Sequence, residues 1–383
     1  MRPGLLLISH AYAALENRKK LQAFAAHFDL VCVTSTIEQR IVLGRPSSDF
    51  DNESDADSRN YQLIRLPRLG LSDTTFRYAG LAAVMKSRRF DVILVENEPW
   101  AVICWQTRFW KSLLQRQALF GEFTWENVER PGWKGCILAL IYRAMTASTD
   151  FIIAGNQAAS KLVQRRGARS NNVLVAPQLG VDLTNHQPAP SAERRELRKR
   201  QGLPEGAFII GYCGRLTEEK GLKELLQACD ELGSVHLALL GSGKLESWLH
   251  EQSQSRPWLH LLPPRPHFEI PNFLRCLNVF VLGSKPVHTM QLCWEEQFGH
   301  VLIEAMACGV TTLGSSSGAI PEVIGHSEAI FPHGDAKALA ERIRRVMNDA
   351  TLAHSQIERT RRLYTHDAVA ALWAGFIKNK LAA

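Results

Sequence analysis

The sequence predicts an α/β protein of two Rossmann-like domains, each a parallel sheet covered by helices, facing one cleft. Three observations lead there. Short apolar runs of strand length alternate with helical stretches almost throughout, as parallel sheets buried on both faces require. The chain has 383 residues, too many for one ordinary core. The alternation also comes in two tandem blocks. They are joined by Pro177-Gln178-Leu179-Gly180-Val181-Asp182 and a Pro-bearing polar stretch to Glu205. The expected domains are therefore 1–183 and 184–365.

In the first block, runs rich in Leu, Val, Ile and Phe predict strands over 5–9, 30–34, 63–66, 92–96, 119–124, 151–154 and 173–176. In the second block the same signal falls at 208–213, 236–240, 259–262, 279–282, 311–314 and 329–331. Apolar residues at helical spacing predict helices between them, such as 222–232 and 336–347. No internal repeat is evident.

Composition is that of a globular protein, 45% apolar and 22% charged. The longest apolar runs, Leu5-Leu6-Leu7-Ile8 and Cys136-Ile137-Leu138-Ala139-Leu140-Ile141, are far shorter than the roughly 20 residues that span a bilayer. Ser9-His10 interrupts the first, which reads as a strand and not as a signal peptide. Eight cysteines lie scattered without a C-x-x-C pair, Cys32, Cys104 and Cys213 in apolar company, which reads as free thiols in a reducing cytoplasm.

The net charge is +7. Basic clusters stand at Arg18-Lys19-Lys20, Lys86-Ser87-Arg88-Arg89, Arg165-Arg166 and 194–200. They read first as solvated helix faces, above all the last one. Their functional reading is attraction to an anionic membrane surface or a diphosphate-bearing acceptor. No nucleic-acid-binding motif accompanies them. Five of nine tryptophans fall between Trp100 and Trp133. Core packing is their default reading. With Arg108, Lys111 and Arg116 nearby, a peripheral membrane contact at the inner face is the second.

The acidic run 49–57 contains Asp55-Ala56-Asp57, a D-x-D, and has carboxylates at alternate positions. A calcium loop would need Gly where Ser54 stands and Glu where Asn60 stands, so no metal is assigned.

The most informative segment is Glu296-Gln297-Phe298-Gly299-His300-Val301-Leu302-Ile303-Glu304, which runs into an apolar helix. Gly299 permits a sharp turn. The N–H groups of Val301, Leu302 and Ile303 are then expected to open toward an anion at the helix start. Glu304, one turn in, suits vicinal hydroxyls, and Glu296, ahead of the turn, suits another part of the same ligand. Phosphate donors between two hydroxyl-seeking carboxylates describe a nucleotide-sugar site.

This segment resembles the E-x7-E signature of the retaining GT-B glycosyltransferases of family 4, the glycosyl transferases group 1. Three further segments share the resemblance. Gly214-Arg215-Leu216-Thr217-Glu218-Glu219-Lys220-Gly221 is similar to the family's phosphate loop, Leu240-Gly241-Ser242-Gly243 to its second glycine turn, and Gly318-Ala319-Ile320-Pro321-Glu322-Val323 to its G-G-I-P-E-V segment. The resemblance is dense over about 170–345.

It implies a GT-B fold whose last helix, 366–383, returns to the first domain; the run 367–381 is amphipathic enough for that. It also implies that Glu304 binds ribose and that Glu296 contacts the transferred sugar and steadies the oxocarbenium ion. Phe298, Gly299, His300, Val301 and Leu302 would surround sugar and phosphates. Arg215 and Lys220 would neutralise the departing diphosphate, the task a metal performs in other glycosyltransferases. Gly214, Gly241 and Gly243 would let backbone approach the phosphates, and the base would rest near Pro263-Pro264-Arg265. Glu246 replaces the third glycine of a dinucleotide fingerprint, which weakens a dehydrogenase reading.

Many members carry a His after the fifth strand. This chain has Phe123-Thr124-Trp125-Glu126-Asn127 there. Glu126, Asn127 and, after the first strand, His10 are the candidates for its role. The expected enzyme transfers a hexose from a UDP-sugar, UDP-glucose first, to a saccharide or lipid-linked acceptor in envelope polysaccharide or glycolipid synthesis. It uses no cofactor. GDP-mannose is the runner-up donor. A nucleotide-sugar binder without turnover and a UDP-sugar epimerase are the rival classes.

Overall fold

The computed structural model describes residues 2–36, 60–70, 72–289, 293–347, 349 and 351–383. The acidic run 49–57, with its D-x-D at Asp55-Ala56-Asp57, lies outside them. Contacts divide the chain into two units, Met1–Gly180 with His366–Ala383, and Val181–Thr365.

The first unit runs β1 (Gly4–Ile8), α1 (Arg18–Ala25), β2 (Asp29–Ser35), β3 (Gln62–Leu66), β4 (Arg68–Leu69), β5 (Arg77–Tyr78), α2 (Leu81–Ser87), β6 (Val92–Glu96), α3 (Val102–Leu114), β7 (Leu119–Thr124), α4 (Gly132–Thr146), β8 (Phe151–Ala154), α5 (Gln157–Arg165) and β9 (Val173–Val175). Its main sheet has the order β3-β2-β1-β6-β7-β8-β9, and the pairs are parallel. The order reverses between β1 and β6, the place where open α/β sheets receive ligands. β4 and β5 form a short antiparallel pair that the apolar-run signal does not show, because two residues carry no periodicity.

The central strands β1, β2, β6, β7 and β8 bury both faces, so their apolar runs are continuous. Alternate residues therefore supply two cores. Leu5, Leu7, Val92 and Leu94 pack with Leu21, Phe24 and Trp373. Leu6, Ile8, Ile93 and Val95 pack with Met85, Ile103, Cys104 and Met145. The last helix of the chain, His366–Ala382, presents Val369, Trp373 and Ile377 to the first of these cores.

A buried ionic cluster holds the carboxyl end of this sheet. Glu96 Oε1 accepts from Tyr12 Oη at 2.8 Å and from Lys20 Nζ at 3.0 Å. Its Oε2 accepts from Gln178 Nε2 at 2.9 Å. Both Lys20 and Glu96 side chains are fully buried. The Lys20 ammonium lies 3.3 Å from the ring centre of Trp373, whose indole N–H donates to the Pro177 carbonyl at 3.1 Å. Burial pulls the Lys20 pKa down, against the pull of Glu96.

Three basic clusters thus depart from the solvated-face reading. In one of them Arg166 is buried beside Glu126. Arg18 is buried against the Tyr12 and Ala13 carbonyls. In the second unit, buried Arg198 spends its guanidinium on the carbonyls of Cys276, Glu205 and Ala207 and on Asn278 Oδ1. Charge patterning marks a polar face, but a guanidinium with enough acceptors is buried at little cost.

The second unit runs α6 (Ser191–Arg200), β10 (Ile209–Cys213), α7 (Leu222–Leu232), β11 (His236–Leu240), α8 (Glu246–Gln254), β12 (Leu259–Leu262), α9 (Ile270–Leu274), β13 (Val279–Leu282), β14 (Val287–His288), β15 (Cys293–Trp294), α10 (His300–Ala307), β16 (Thr311–Ser315), α11 (Ile320–Ile324), β17 (Ile330–Phe331), α12 (Ala336–Val346) and α13 (Thr351–Leu363); α14 is His366–Ala382 of the first unit. Its parallel sheet has the order β12-β11-β10-β13-β16-β17, reversing between β10 and β13.

Removing one partner of a buried pair strands the other. Glu96→Ala should destabilise the first unit by about 3–5 kcal/mol in chemical denaturation. The double variant Lys20→Met/Glu96→Ala should recover much of that loss. A single variant as stable as wild type would contradict the ionic role.

Candidate functional site

At the carboxyl end of the second sheet, glycine brings the loops into contact. Gly214 N–H donates to Leu240 O at 3.0 Å and Leu216 N–H to Ser242 O at 2.8 Å. A Cβ on Gly241, whose φ is +146°, would stand 1.9 Å from the Gly214 carbonyl oxygen. No larger residue leaves the two loops this close. A Cβ on Gly318 would likewise stand 2.1 Å from the Glu296 carbonyl oxygen. Ala319 N–H donates to that oxygen at 2.9 Å.

Glu296 is the point of convergence. Its Oε2 accepts from Lys220 Nζ at 2.6 Å and from Ser284 Oγ at 2.7 Å. Lys220 comes from the loop after β10 and Ser284 from the loop after β13, so the pair sits where the strand order reverses. Both charged side chains are about nine-tenths buried, at 11% exposure each. The Lys220 ammonium also lies 4.6 Å from the Trp294 ring centre. Arg215 behaves differently. Its side chain is 67% exposed and lies 3.7 Å from Glu219. The two cations that share one motif therefore do not share one environment.

α10 begins at His300, capped by Gly299 in the left-handed region at φ +75°. Leu302 N–H donates to the Gly299 carbonyl at 2.8 Å. Leu302 is therefore not the open donor that the spacing predicts, and His300 and Val301 head the helix instead. The Phe298 side chain is buried, packed at 4.8 Å against the His300 ring and at 5.8 Å against Tyr364. Burial pushes the His300 imidazole down to about 4, so it is neutral at pH 7.

Glu304, one turn into α10, meets His267 Nε2 at 2.9 Å. His267 follows β12, and its ring lies 6.2 Å from that of His186. Burial alone would raise the Glu304 pKa, but the His267 contact outweighs it, with help from His186 and His300, and holds the carboxyl at about 2. Sequence reasoning missed His267 and His186. It placed a base site at Pro263-Pro264-Arg265, and the residue that reaches the carboxylate is two positions further on. Arg265 itself pairs with Glu269 at 3.2 Å.

The candidates in the first unit are placed as follows. His10 opens a short helical turn after β1 and packs edge-on against Phe76 at 6.0 Å. Glu126 is buried and accepts from Trp100 Nε1 at 2.9 Å and Arg130 Nε at 3.3 Å, with Arg166 at 3.5 Å. Three side chains thus already engage its carboxylate. Half-buried Asn127 follows it. Nearby Glu98 is half-buried, accepts from Trp125 N–H at 3.1 Å, and is pushed up to about 7 by desolvation and by Glu126. Among the described residues, no group of three or more His, Cys, Asp or Glu could hold a metal ion.

Comparison with known proteins bears on this geometry. Residues 193–363 match the family described as "Glycosyl transferases group 1". The matched residues lie within the second unit. The chain is 30% identical over 236 residues to the capsular polysaccharide biosynthesis glycosyltransferase CapM of Staphylococcus aureus, covering 58% of each chain. It is 25% identical over 232 residues to the sulfoquinovosyl transferase SQD2 of Arabidopsis thaliana, covering 59% of this chain and 42% of that one. It thus spans about half the length of these curated relatives. Among solved structures, sucrose-phosphate synthase from Thermosynechococcus elongatus superposes with a TM-score of 0.73 at 19% identity, over 100% of both chains. Anabaena HepE in complex with UDP and glucose gives 0.71 at 16%, over 98% of this chain and 100% of that one. These likenesses establish the GT-B fold.

Within the second unit, ionised Glu304 stabilises the fold above its ordinary pKa of 4.5, and that contribution is lost as pH falls toward 2. The stability gap between wild type and Glu304→Gln should reach roughly 3 kcal/mol near neutral pH and close on acidification. Denaturant titrations across that range would check it, and a gap independent of pH would contradict it.

Proposed function

We propose that this chain is a retaining, metal-independent hexosyltransferase. It takes a UDP-sugar, UDP-glucose first, as donor and a saccharide or lipid-linked saccharide of envelope polysaccharide or glycolipid synthesis as acceptor, working in the cytoplasm. The observation that carries the reading is the Lys220–Glu296 pair, held at the sheet's reversal point beside the head of α10. An ammonium has three donors. One holds Glu296, and the others serve the phosphate oxygens as the glycosidic bond breaks and charge gathers on the diphosphate. Exposed Arg215 adds a second cation by swinging toward the bound phosphates. Glu296, already fixed by Lys220 and Ser284, steadies the cationic sugar carbon. Glu304, fixed by His267, receives the ribose hydroxyls.

The CapM relative, named for capsular polysaccharide biosynthesis, supports the acceptor class. GDP-mannose remains the competing donor. A binder without turnover is the second reading, favoured by the engagement of Glu126 with Trp100, Arg130 and Arg166. An epimerase would convert the donor with no acceptor present.

Thermal shifts with UDP, GDP, ADP and their sugars decide the nucleotide. The right ligand at about 100 Kd should add roughly 2.7 kcal/mol. Glu304→Ala should weaken free UDP, whereas Glu296→Gln should spare UDP and lower kcat. Lys220→Ala should weaken UDP and lower turnover by about 2–5 kcal/mol of lost charged contact. Equal UDP affinity in wild type and Lys220→Ala would remove the clamp. Turnover should survive excess EDTA; loss on chelation with rescue by magnesium or manganese would reject metal independence.

A further inference from the structure

α3 and α4 lie on one face of the first sheet, joined through β7 by successive parallel crossovers, and both feed the core that contains Ile103, Cys104 and Met145. Their outward sides are apolar. On α3, Trp105, Phe109 and Leu113 recur every four residues, with Phe109 56% and Leu113 52% exposed. On α4, Trp133, Ile137 and Leu140 form a matching row, with Trp133 70% and Leu140 69% exposed. Core packing, the default for this tryptophan-rich stretch, therefore fails for Trp105 and Trp133. Large side chains repeated along two neighbouring helices are more than the scattered apolar exposure of an ordinary surface.

The charge on these helices is of one sign. α3 contributes half-buried Lys111 and α4 contributes exposed Arg143, while neither helix contains an acid. Exposed Arg116 follows α3 and exposed Arg130 precedes α4. The exposed acid nearby, Glu129, lies 3.7 Å from Arg165. We infer that the α3–α4 face docks on an anionic lipid bilayer, its apolar rows entering the interface and its basic residues meeting the headgroups. A second copy of the chain fits less well. A twofold contact would set this face against itself, basic against basic, with no acid on either helix to pair. Among the described residues no helix is long and apolar enough to cross a membrane, so the contact is peripheral. It stands apart from the nucleotide-sugar reading, since vesicle binding by a chain that bound no nucleotide would still support it.

The test is co-sedimentation of the full chain with vesicles of phosphatidylcholine alone and of phosphatidylcholine with phosphatidylglycerol. Wild type should partition to the anionic vesicles, and added salt should weaken the binding. The triple variant Phe109→Ser/Leu113→Ser/Leu140→Ser should lose roughly tenfold or more of that partitioning. Its unfolding temperature should stay at the wild-type value, because the three side chains are exposed. Arg116→Gln/Arg143→Gln should bind anionic vesicles less and leave neutral ones unaffected. No preference of wild type for anionic vesicles would overturn the inference, as would equal binding by wild type and the triple variant. A dimer in sedimentation velocity that the triple variant lacks, with no vesicle binding, would overturn it in favour of a second copy.

Discussion

A carboxylate in the second unit ties together loops that the chain places far apart. Glu296 receives Lys220 from the loop after β10 and Ser284 from the loop after β13, and through its carbonyl the Ala319 N–H from the loop after β16. The remaining geometry follows from that convergence. The loops can meet only because Gly241 and Gly318 have no side chain to keep them apart. With Glu296 anchored, the chain turns through Gly299 straight into α10, which sets His300 and Val301 at the helix head and Glu304 one turn behind. A buried charge pair is a weak source of stability because desolvation offsets its attraction. Its value here is positional: it holds a lysine and a carboxylate in fixed geometry where the loops meet.

The first unit repeats the device with a different outcome. Glu96 is also a strand-end carboxylate with a lysine partner, but Lys20 is fully enclosed and lies over Trp373. Nothing there is open to a ligand. The cluster instead joins the segment after β1, the exit from β9 and α14 into one structure. Glu126 serves a similar purpose further along the same sheet edge. Two units with the same architecture thus spend their buried acids differently. The second keeps a lysine and a carboxylate beside an open helix head, and the first seals its acids into packing.

The sequence by itself determined a good deal. Continuous apolar runs follow from strands buried on both faces, so the strand positions in both sheets were legible to within a residue or two. The glycine turns and the E-x7-E spacing were legible too, because backbone conformation and helix starts are local properties. Tertiary structure decided what those residues do. Arg215 and Lys220 are equivalent cations in the motif, and only the fold buries Lys220 against Glu296 while leaving Arg215 in solvent. The histidines around Glu304 come from segments distant in sequence, and no local pattern announces that they meet. Arg18, Lys20 and Arg198 read as solvated charge, yet each finds enough acceptors to be buried. Spacing along the chain reports what one segment can form alone. Burial, ion pairing and pKa depend on which segments the sheet order brings together, and those contacts are between residues that the sequence keeps apart.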